Sequence, residues 1–146
     1  MKIVNRKALH DYYLVERFEA GVVLSGAEVK MIRAGRIDLN ESFVKFVGYE
    51  PYLINAFIPV YQQANQPGYD PRRSRKLLLH KSEIEALLGR MGRKNLTIVP
   101  VSCYTASNLI KLELALVQAK NKADKREDLR RKALARAQEQ ELRGKV

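Results

Sequence analysis

The sequence has no tryptophan, a single cysteine and only two histidines, and these shortages exclude several kinds of site. Cys103 has no second cysteine with which to form an internal disulfide, a composition typical of a reducing compartment, so we expect a cytoplasmic protein. His10 and His80 are too few to build a cluster of metal ligands. We therefore expect no metal site, and no cofactor is indicated.

Long hydrophobic runs are also missing. No apolar segment approaches the roughly 18 residues that a membrane-spanning helix needs. The first residues, MKIVNRKALHDYY, lack the apolar region of a secretory signal peptide. The basic C-terminal segment has no bulky apolar face to insert into a lipid surface, so we expect no membrane partner.

Acidic residues are few relative to basic ones. The chain of 146 residues, the length of one ordinary domain, contains 27 Lys and Arg against 16 Asp and Glu, a net charge of +11. Residues 119–146 hold ten basic and five acidic residues, so this tail carries +5 and residues 1–118 carry +6. Both parts favour a polyanionic partner, and composition alone predicts a basic RNA-binding protein.

Hydrophobic patterning predicts a mainly β body in residues 1–118. Apolar side chains alternate from Tyr12 onwards, and SFVKFV, PYLINAFIPV, LTIVPVSCY and LIKLELALV are typical of further strands. Two short helices are predicted, one capped by Ser25 and one that opens with a capping box at Ser82 and ends at Gly92. Since closure removes sheet edges, we predict a small closed antiparallel barrel, in preference to a ferredoxin-like sandwich with longer helices.

The tail, residues 119–146, is rich in strong helix formers but has no wide apolar stripe. Asp124 and Glu127 have the spacing of an N-terminal capping box. Ion pairs between residues four positions apart, such as Glu127 and Arg131, would lie on the surface of a helix and stabilise it. Such a helix has nothing to bury, so we expect the tail to be disordered or helical, depending on a partner.

His10 beside Asp11 has the composition of a general-base pair. If the two are neighbours on a strand, their side chains point to opposite faces and do not form a catalytic dyad, and no Ser or Cys nucleophile is placed with them. We therefore expect a protein that is not an enzyme. A nuclease or modifying enzyme that uses this pair remains the rival hypothesis from another class.

Two further features have ordinary structural explanations. The basic run DPRRSRK is either a solvated loop or a nucleic-acid contact. Most aromatic residues occupy strand positions where core packing accounts for them, and base stacking stays open at Tyr12 and Tyr13.

Five segments of the sequence point to a particular protein family. They are NRKALHDY from Asn5, FEAGVVLSGAEVKMIRAGR from Phe18, ESFV from Glu41, DPRRSRKLLLHKSEI from Asp70 and ADKREDLRRK from Ala123. In this order and spacing, over nearly the whole chain, they closely resemble the small protein B family, the SsrA-binding proteins of bacteria. The resemblance implies a barrel of oligonucleotide-binding type with inserted helices and a flexible basic tail.

The same resemblance implies a function. Members of the family bind the tRNA-like domain of transfer-messenger RNA and deliver it to stalled ribosomes, where the nascent chain is tagged and the ribosome is released in trans-translation. Alanyl-tRNA synthetase and elongation factor Tu act in the same cycle. The tail becomes helical in the small-subunit decoding region and the empty mRNA channel. We expect a monomer, and the alternative is a ribosome-associated structural RNA-binding protein whose tail anchors it.

Residue roles follow from the matched positions. The RNA-binding residues implied are Asn5, Lys7, His10, Glu19, Leu78, His80, Lys111, Lys120 and Lys122. The ribosome-contacting residues implied in the tail are Asp124, Lys125, Arg126, Arg130, Arg131 and Lys132. The chain departs from the family where Gly-Lys-Lys usually precedes the tail, because Ala119, Lys120 and Asn121 stand there. This difference leaves the behaviour of the hinge open.

Overall fold

The computed structural model describes residues 1–64, 66–91 and 96–144. Strands dominate as far as residue 119, and a long helix follows. The elements are β1 Lys2–Val4, α1 Arg6–Asp11, β2 Tyr12–Val22, α2 Gly26–Arg33, β3 Phe43–Val47, β4 Glu50–Ile54, β5 Arg75–Leu78, α3 Lys81–Met91, β6 Leu96–Ala106, β7 Leu109–Ala119 and α4 Lys122–Gly144.

The strands of the described residues form one antiparallel sheet in the order β1-β6-β3-β4-β5-β2-β7. Because β6 also pairs with β7, the pairings run in a ring from β6 through β3, β4, β5, β2 and β7 back to β6. The longest ladders join β7 to β2 and to β6. The prediction of a mainly β, antiparallel fold with short inserted helices is confirmed.

The segments SFVKFV and PYLINAFIPV form one hairpin, and LTIVPVSCY and LIKLELALV form another. The turns of both hairpins contain residues with positive φ. Gly48 adopts φ +65° between β3 and β4. Ser107 and Asn108 join β6 to β7 with φ values of +49° and +65°. Two successive residues of positive φ are the turn whose twist matches an antiparallel pair. This turn fixes the register that places Tyr104 opposite Lys111.

Helix α2 has the predicted cap. The hydroxyl of Ser25 accepts from the Glu28 backbone N–H at 3.2 Å, and Glu28 Oε1 accepts from the Ser25 N–H at 3.0 Å. Gly35, just beyond the helix, has φ +80° and provides the left-handed residue that commonly ends a helix.

The two other predicted helix starts are wrong by a few residues. Helix α3 begins at Lys81, and the Glu83 carboxylate accepts from the His80 N–H at 3.2 Å, so Ser82 is not its cap. The expected end of α3 at Gly92 lies outside the described residues. In α4, Asn121 is the cap, because its Oδ1 accepts from the Asp124 N–H at 2.8 Å. Asp124 therefore lies inside the first turn.

The sequence patterns also missed β1 and α1. Helix α1 lies over the outer face of the sheet, where Ala8 packs on Val99, Val101, Ala115 and Val117. Alternation along LIKLELALV puts Ala115 on the face opposite Leu112 and Leu114, yet this residue is fully buried because α1 covers it. The ring of strands encloses the main core on its other face, with the alternating leucines Leu112, Leu114 and Leu116 of β7.

The basic run DPRRSRK is only partly solvated, because two of its three arginines, Arg73 and Arg75, bind the buried carboxylate of Glu28. Arg75 is 0% exposed and its Nε donates to Glu28 Oε2 at 2.6 Å, while Glu28 itself is 1% exposed. Arg73 binds both oxygens of the same carboxylate, and the Tyr69 hydroxyl lies 3.2 Å from Oε2. This buried ion cluster ties α2 to β5.

The surroundings of Glu28 keep it ionised. Burial alone would raise the pKa of its carboxyl, but hydrogen bonds from Arg73, the Ser25 backbone and Arg75 lower it from 4.5 to about 2. A group whose folded pKa is depressed stabilises the fold above its unfolded pKa, and this stabilisation is lost as the pH falls toward the folded pKa.

We therefore expect Glu28→Gln to lower the free energy of unfolding at pH 7 by about 3 kcal/mol, since it leaves the fully buried Arg75 without its counter-charge. Between pH 5 and pH 2 the parent chain should lose most of this difference, whereas Glu28→Gln should show a flatter acid dependence. Urea unfolding at a series of pH values measures both. Glu85→Gln, at an exposed carboxylate of α3, is the control and should change neither quantity. Equal acid slopes for the parent and Glu28→Gln would contradict the assignment.

Candidate nucleic-acid interface

Adjacent strands bring four of the predicted RNA-binding residues to one groove of about 520 Å³. Glu19 lies on β2, Leu78 at the end of β5, His80 just beyond it, and Lys111 on β7. Gly21 of β2 pairs with both Leu78 and Lys111 and so aligns the three strands. We call this site, between the β3–β4 turn and Lys111, the sheet groove.

Glu19 is held in place by two neighbours. Its Oε2 accepts a hydrogen bond from the Tyr104 hydroxyl, and Lys111 Nζ lies 3.8 Å from Oε1. Burial and the hydrogen bond to Glu19 raise the pKa of Tyr104 to about 12, so this hydroxyl stays a donor at neutral pH. The sequence patterns did not single out Tyr104. The observed turn at Ser107 and Asn108 is one residue shorter than the turn expected at Ala106, Ser107 and Asn108, and it places Tyr104 opposite Lys111.

Leu78 and His80 face outward. Leu77 is buried in the core, whereas Leu78 is 55% exposed in the groove, so Leu78 is a surface residue and not part of the core. His80 is exposed at the start of α3. The groove thus combines a carboxylate, a lysine, an imidazole and an apolar side chain on one surface.

Asn5 and Lys7 lie elsewhere, beside α1. Asn5 is 4% exposed, and its Nδ2 donates to the carbonyls of Leu39 at 3.2 Å and Pro100 at 2.9 Å. Its Oδ1 accepts from the Ala8 N–H and caps α1. The Asn5 side chain therefore positions α1, and both of its donors are engaged within the protein. Lys7 is exposed and pairs with Glu41.

His10 and Asp11 are on a helix, so the expectation of strand neighbours with opposed side chains is wrong. His10 Nδ1 lies 3.0 Å from Asp11 Oδ1, and Lys125 Nζ of α4 lies 3.2 Å from the same oxygen. Burial alone would raise the pKa of Asp11, but the contacts with His10 and Lys125 lower it below its usual value. Asp11 is thus an ion-pair partner for the tail.

The first turns of α4 are attached to the body. The Lys120 N–H donates to the Asp11 carbonyl at 2.9 Å, and Lys120 Nζ pairs with Asp128 and lies 5.0 Å from the centre of the Tyr13 ring. The Lys120 side chain is mostly buried in these contacts. We call Asp11, Tyr13, Lys120 and Asn121, with the first two turns of α4, the tail root.

The remaining tail residues of the prediction are on an exposed helix. Asp124 and Lys125 lie in the tail root, half-buried. The others are exposed, and Arg131 pairs with Glu127 at 3.1 Å as predicted. The exposed residues of the prediction are Arg126, Arg130, Arg131 and Lys132. The side chain of Lys122 lies outside the described part of the structure.

The predicted residues therefore occupy two separate surfaces. Tyr12, beside α1 and the tail root, and Glu19, at the sheet groove, lie on the same strand. At about 3.3 Å per residue, seven residues separate the two surfaces by about 23 Å. An elongated partner is needed to contact both.

Residues 1–64, 66–91 and 96–144 contain neither a cluster of metal ligands nor a membrane-spanning helix. No group of three or more His, Cys, Asp or Glu residues there is arranged to hold a metal ion. None of the helices in that same part of the chain is sufficiently long and apolar to cross a membrane.

Comparison with known proteins supports an RNA-binding assignment. An SsrA-binding protein of Carboxydothermus hydrogenoformans is 45% identical over 141 residues, which cover 97% of this chain and 95% of the relative. An SsrA-binding protein of Geobacter metallireducens is 47% identical over 139 residues, 95% of this chain and 91% of the relative.

A solved structure agrees. A chain from the work described as "tmRNA-SmpB: a journey to the center of the bacterial ribosome" matches with a TM-score of 0.70 and 43% identity, over 89% of this chain and 95% of that chain. The family model described as SmpB protein matches residues 2–144. The resemblance found in the sequence is therefore confirmed, and the chain belongs to the SmpB protein family.

Proposed function

We propose that this chain is an RNA-binding adaptor that binds the tRNA-like domain of transfer-messenger RNA and brings it to stalled ribosomes for trans-translation. The observation that carries the proposal is the sheet groove, in which Glu19, Leu78, His80 and Lys111 come together from separate strands. Family membership and relatives that bind SsrA or sit with transfer-messenger RNA on the ribosome support it. The relatives' names describe binding, not a catalysed reaction.

For the body we propose a closed barrel of the oligonucleotide-binding type, followed by a tail from residue 119. The ring of strand pairings supports closure, because every strand from β2 to β7 has at least two neighbours. Strand β7 ends at Ala119, so the proposed division at 118/119 lies within one residue of the end of the sheet.

We propose that RNA contacts extend from the sheet groove to α1. Lys7 and His10 are close to the surface there, while Asn5 acts through the position of α1. Basic residues near a phosphate backbone release counterions, which makes binding favourable and salt-dependent. The charge of +6 on residues 1–118 supports a body that binds RNA without the tail.

Further protein partners follow from the proposed delivery of transfer-messenger RNA to the ribosome. A tRNA-like end must be charged and carried, so we place alanyl-tRNA synthetase and elongation factor Tu in the same cycle, with this chain acting as a monomer in the cytoplasm. The alternative function is a structural RNA-binding protein of the ribosome.

The RNA that co-purifies with the chain tests the function. We expect one discrete species that folds into a tRNA-like end, identified by sequencing after gentle purification at low salt. Bulk ribosomal RNA without that species would favour the structural alternative. Turnover of added RNA that His10→Ala abolishes would instead favour an enzyme.

Variants of the sheet groove test its role in binding. Lys111→Ala should weaken binding to the tRNA-like domain and reduce the slope of log K against log salt by about one, because one counterion fewer is released. Glu19→Gln should weaken binding without reducing that slope, since the carboxylate contacts no phosphate. Fluorescence anisotropy at several salt concentrations measures both. If both variants bind and melt like the parent, the groove is not part of the interface.

For the tail we propose a sensor of the small-subunit decoding region and the empty mRNA channel. Helix α4 is charged on all sides and leaves Leu129 and Leu134 exposed, as suits a channel with walls of RNA. The contacts of the tail root, which fix the first turn of α4, support a tail that leaves the body in a defined direction.

Leu134→Pro separates helix formation from charge. The substitution costs about 3 kcal/mol in a helix interior and changes no charged residue. We expect the variant to bind transfer-messenger RNA and reach ribosomes but to tag stalled chains poorly in a purified translation system. Leu134→Ala, which keeps the helix, is the matched control. If Leu134→Pro tags normally while a chain that ends at Gln118 is inactive, charge alone suffices and the helix is irrelevant.

A further inference from the structure

Tyr49 stands exposed at the sheet groove, and nothing in the sequence motifs accounts for it. It follows Gly48 in the turn between β3 and β4, is 75% exposed and lines the groove together with Leu78. A single exposed aromatic residue is unremarkable, but two large apolar side chains left in water within one groove call for a partner.

The floor of the groove is open because residue 21 is glycine. A Cβ at Gly21 would lie 3.3 Å from the Leu78 Cβ and 3.4 Å from Leu78 Cδ1, so any side chain there would press on Leu78. Gly21 also pairs with Lys111, so its bare backbone lies between the apolar side and the lysine. The groove of about 520 Å³ falls within the range of about 300–1,000 Å³ typical of sites for small organic groups.

The charges of the groove suit a base better than a phosphate. Lys76 is paired with Glu50 at 3.5 Å, which leaves Lys111, with its Nζ 3.8 Å from Glu19 Oε1, as the lysine of the groove that can contact a phosphate. Glu83 adds a third carboxylate. Carboxylates repel phosphates but accept hydrogen bonds from the amino groups of adenine, cytosine and guanine.

Glu19 is the carboxylate best placed to accept such a bond. Tyr104 holds one of its oxygens, and Lys111 Nζ, at 3.8 Å from the other, is beyond hydrogen-bonding distance. An ionised carboxylate has about four lone-pair sites, so Oε1 can accept a donor from a ligand. Its orientation is already fixed before the ligand arrives.

We propose that the sheet groove holds one unpaired RNA base that carries an exocyclic amino group, and that Tyr49 is a contact residue on which this base stacks. The base lies over Gly21 against Tyr49 and Leu78, and its amino group donates to Glu19 Oε1. Unpaired bases splayed onto aromatic side chains are the usual mode of sequence-specific RNA recognition. The net charge of +11 favours RNA over a basic peptide as the occupant. This assignment rests on the proposed function and identifies the part of the RNA that the groove recognises.

Substitution of Tyr49 tests the stacking contact in the full chain. Stacking of one base is worth roughly 1–3 kcal/mol by alanine substitution, so Tyr49→Ala should weaken binding to the labelled tRNA-like domain by about fivefold to a hundredfold. Tyr49→Phe keeps the ring and should bind like the parent. Val47→Ala, at another exposed apolar residue of the same hairpin, is the matched control and should have no effect. Thermal melting should be unchanged in all three variants.

Abasic substitution in the RNA identifies the occupant. Each unpaired nucleotide of the tRNA-like domain is replaced in turn by an abasic one. At one position, we expect removal of the base to weaken binding to the parent chain. At the same position, removal of the base should not weaken binding to the Tyr49→Ala variant any further. At that position, a base analogue without the amino group should bind the parent and Glu19→Gln equally well.

The outcomes that overturn the inference are distinct from failure of the function. If the parent binds and Tyr49→Ala binds equally tightly, the base site is wrong while the adaptor function stands. If the binding energy lost on Tyr49→Ala and that lost on abasic substitution are additive at every position, Tyr49 contacts no base. The same result is expected if the groove binds a protein segment instead. If the parent does not bind the tRNA-like domain at all, the proposed function itself fails.

Discussion

One buried carboxylate holds the strand that carries the sheet groove in place. Glu28 opens α2 and binds Arg75, the first residue of β5, while Arg75 also donates to the carbonyls of Ala56 and Pro71. Three segments far apart in the chain therefore meet at one ion cluster. Removing either Glu28 or Arg75 would leave the other charge buried without its partner, a cost of about 3–5 kcal/mol. Since β5 carries Leu78 at its other end, the geometry of the sheet groove depends on this cluster.

In the proposed function, the sheet groove and the tail divide the work of recognition. The sheet groove is nearly balanced in charge and combines oriented acceptors with exposed apolar side chains, which suits discrimination between bases. The tail supplies a large share of the net positive charge, which suits strong and sequence-independent attraction to phosphates. A strand of about 23 Å joins the groove to the tail root, so a partner bound in the groove is close to the start of the tail.

The tail root gives the departure from the family pattern a physical meaning. Asn121 stands where the family commonly has a lysine, and its side chain caps α4 by accepting from the Asp124 N–H. A cap of this kind typically stabilises a helix by about 1 kcal/mol. Lys120 and Lys125 add contacts to Asp128 and Asp11. One positive charge is thus exchanged for a defined start of the helix, in a segment that has almost no apolar face with which to hold itself.

Local sequence determined most of the strands, the two hairpins, the Ser25 cap and the helical tail, because alternation, turn residues and helix propensity act between neighbours. It did not determine β1, α1 or the register of β6 and β7, in which a two-residue turn places Tyr104 opposite Lys111. Tertiary structure alone decided what covers each element. Helix α1 buries Ala115, and Glu28 draws Arg73 and Arg75 out of what looks like a solvated basic run. Such contacts join residues more than 40 positions apart, and a charged side chain is identical in sequence whether its partner is water or a buried carboxylate.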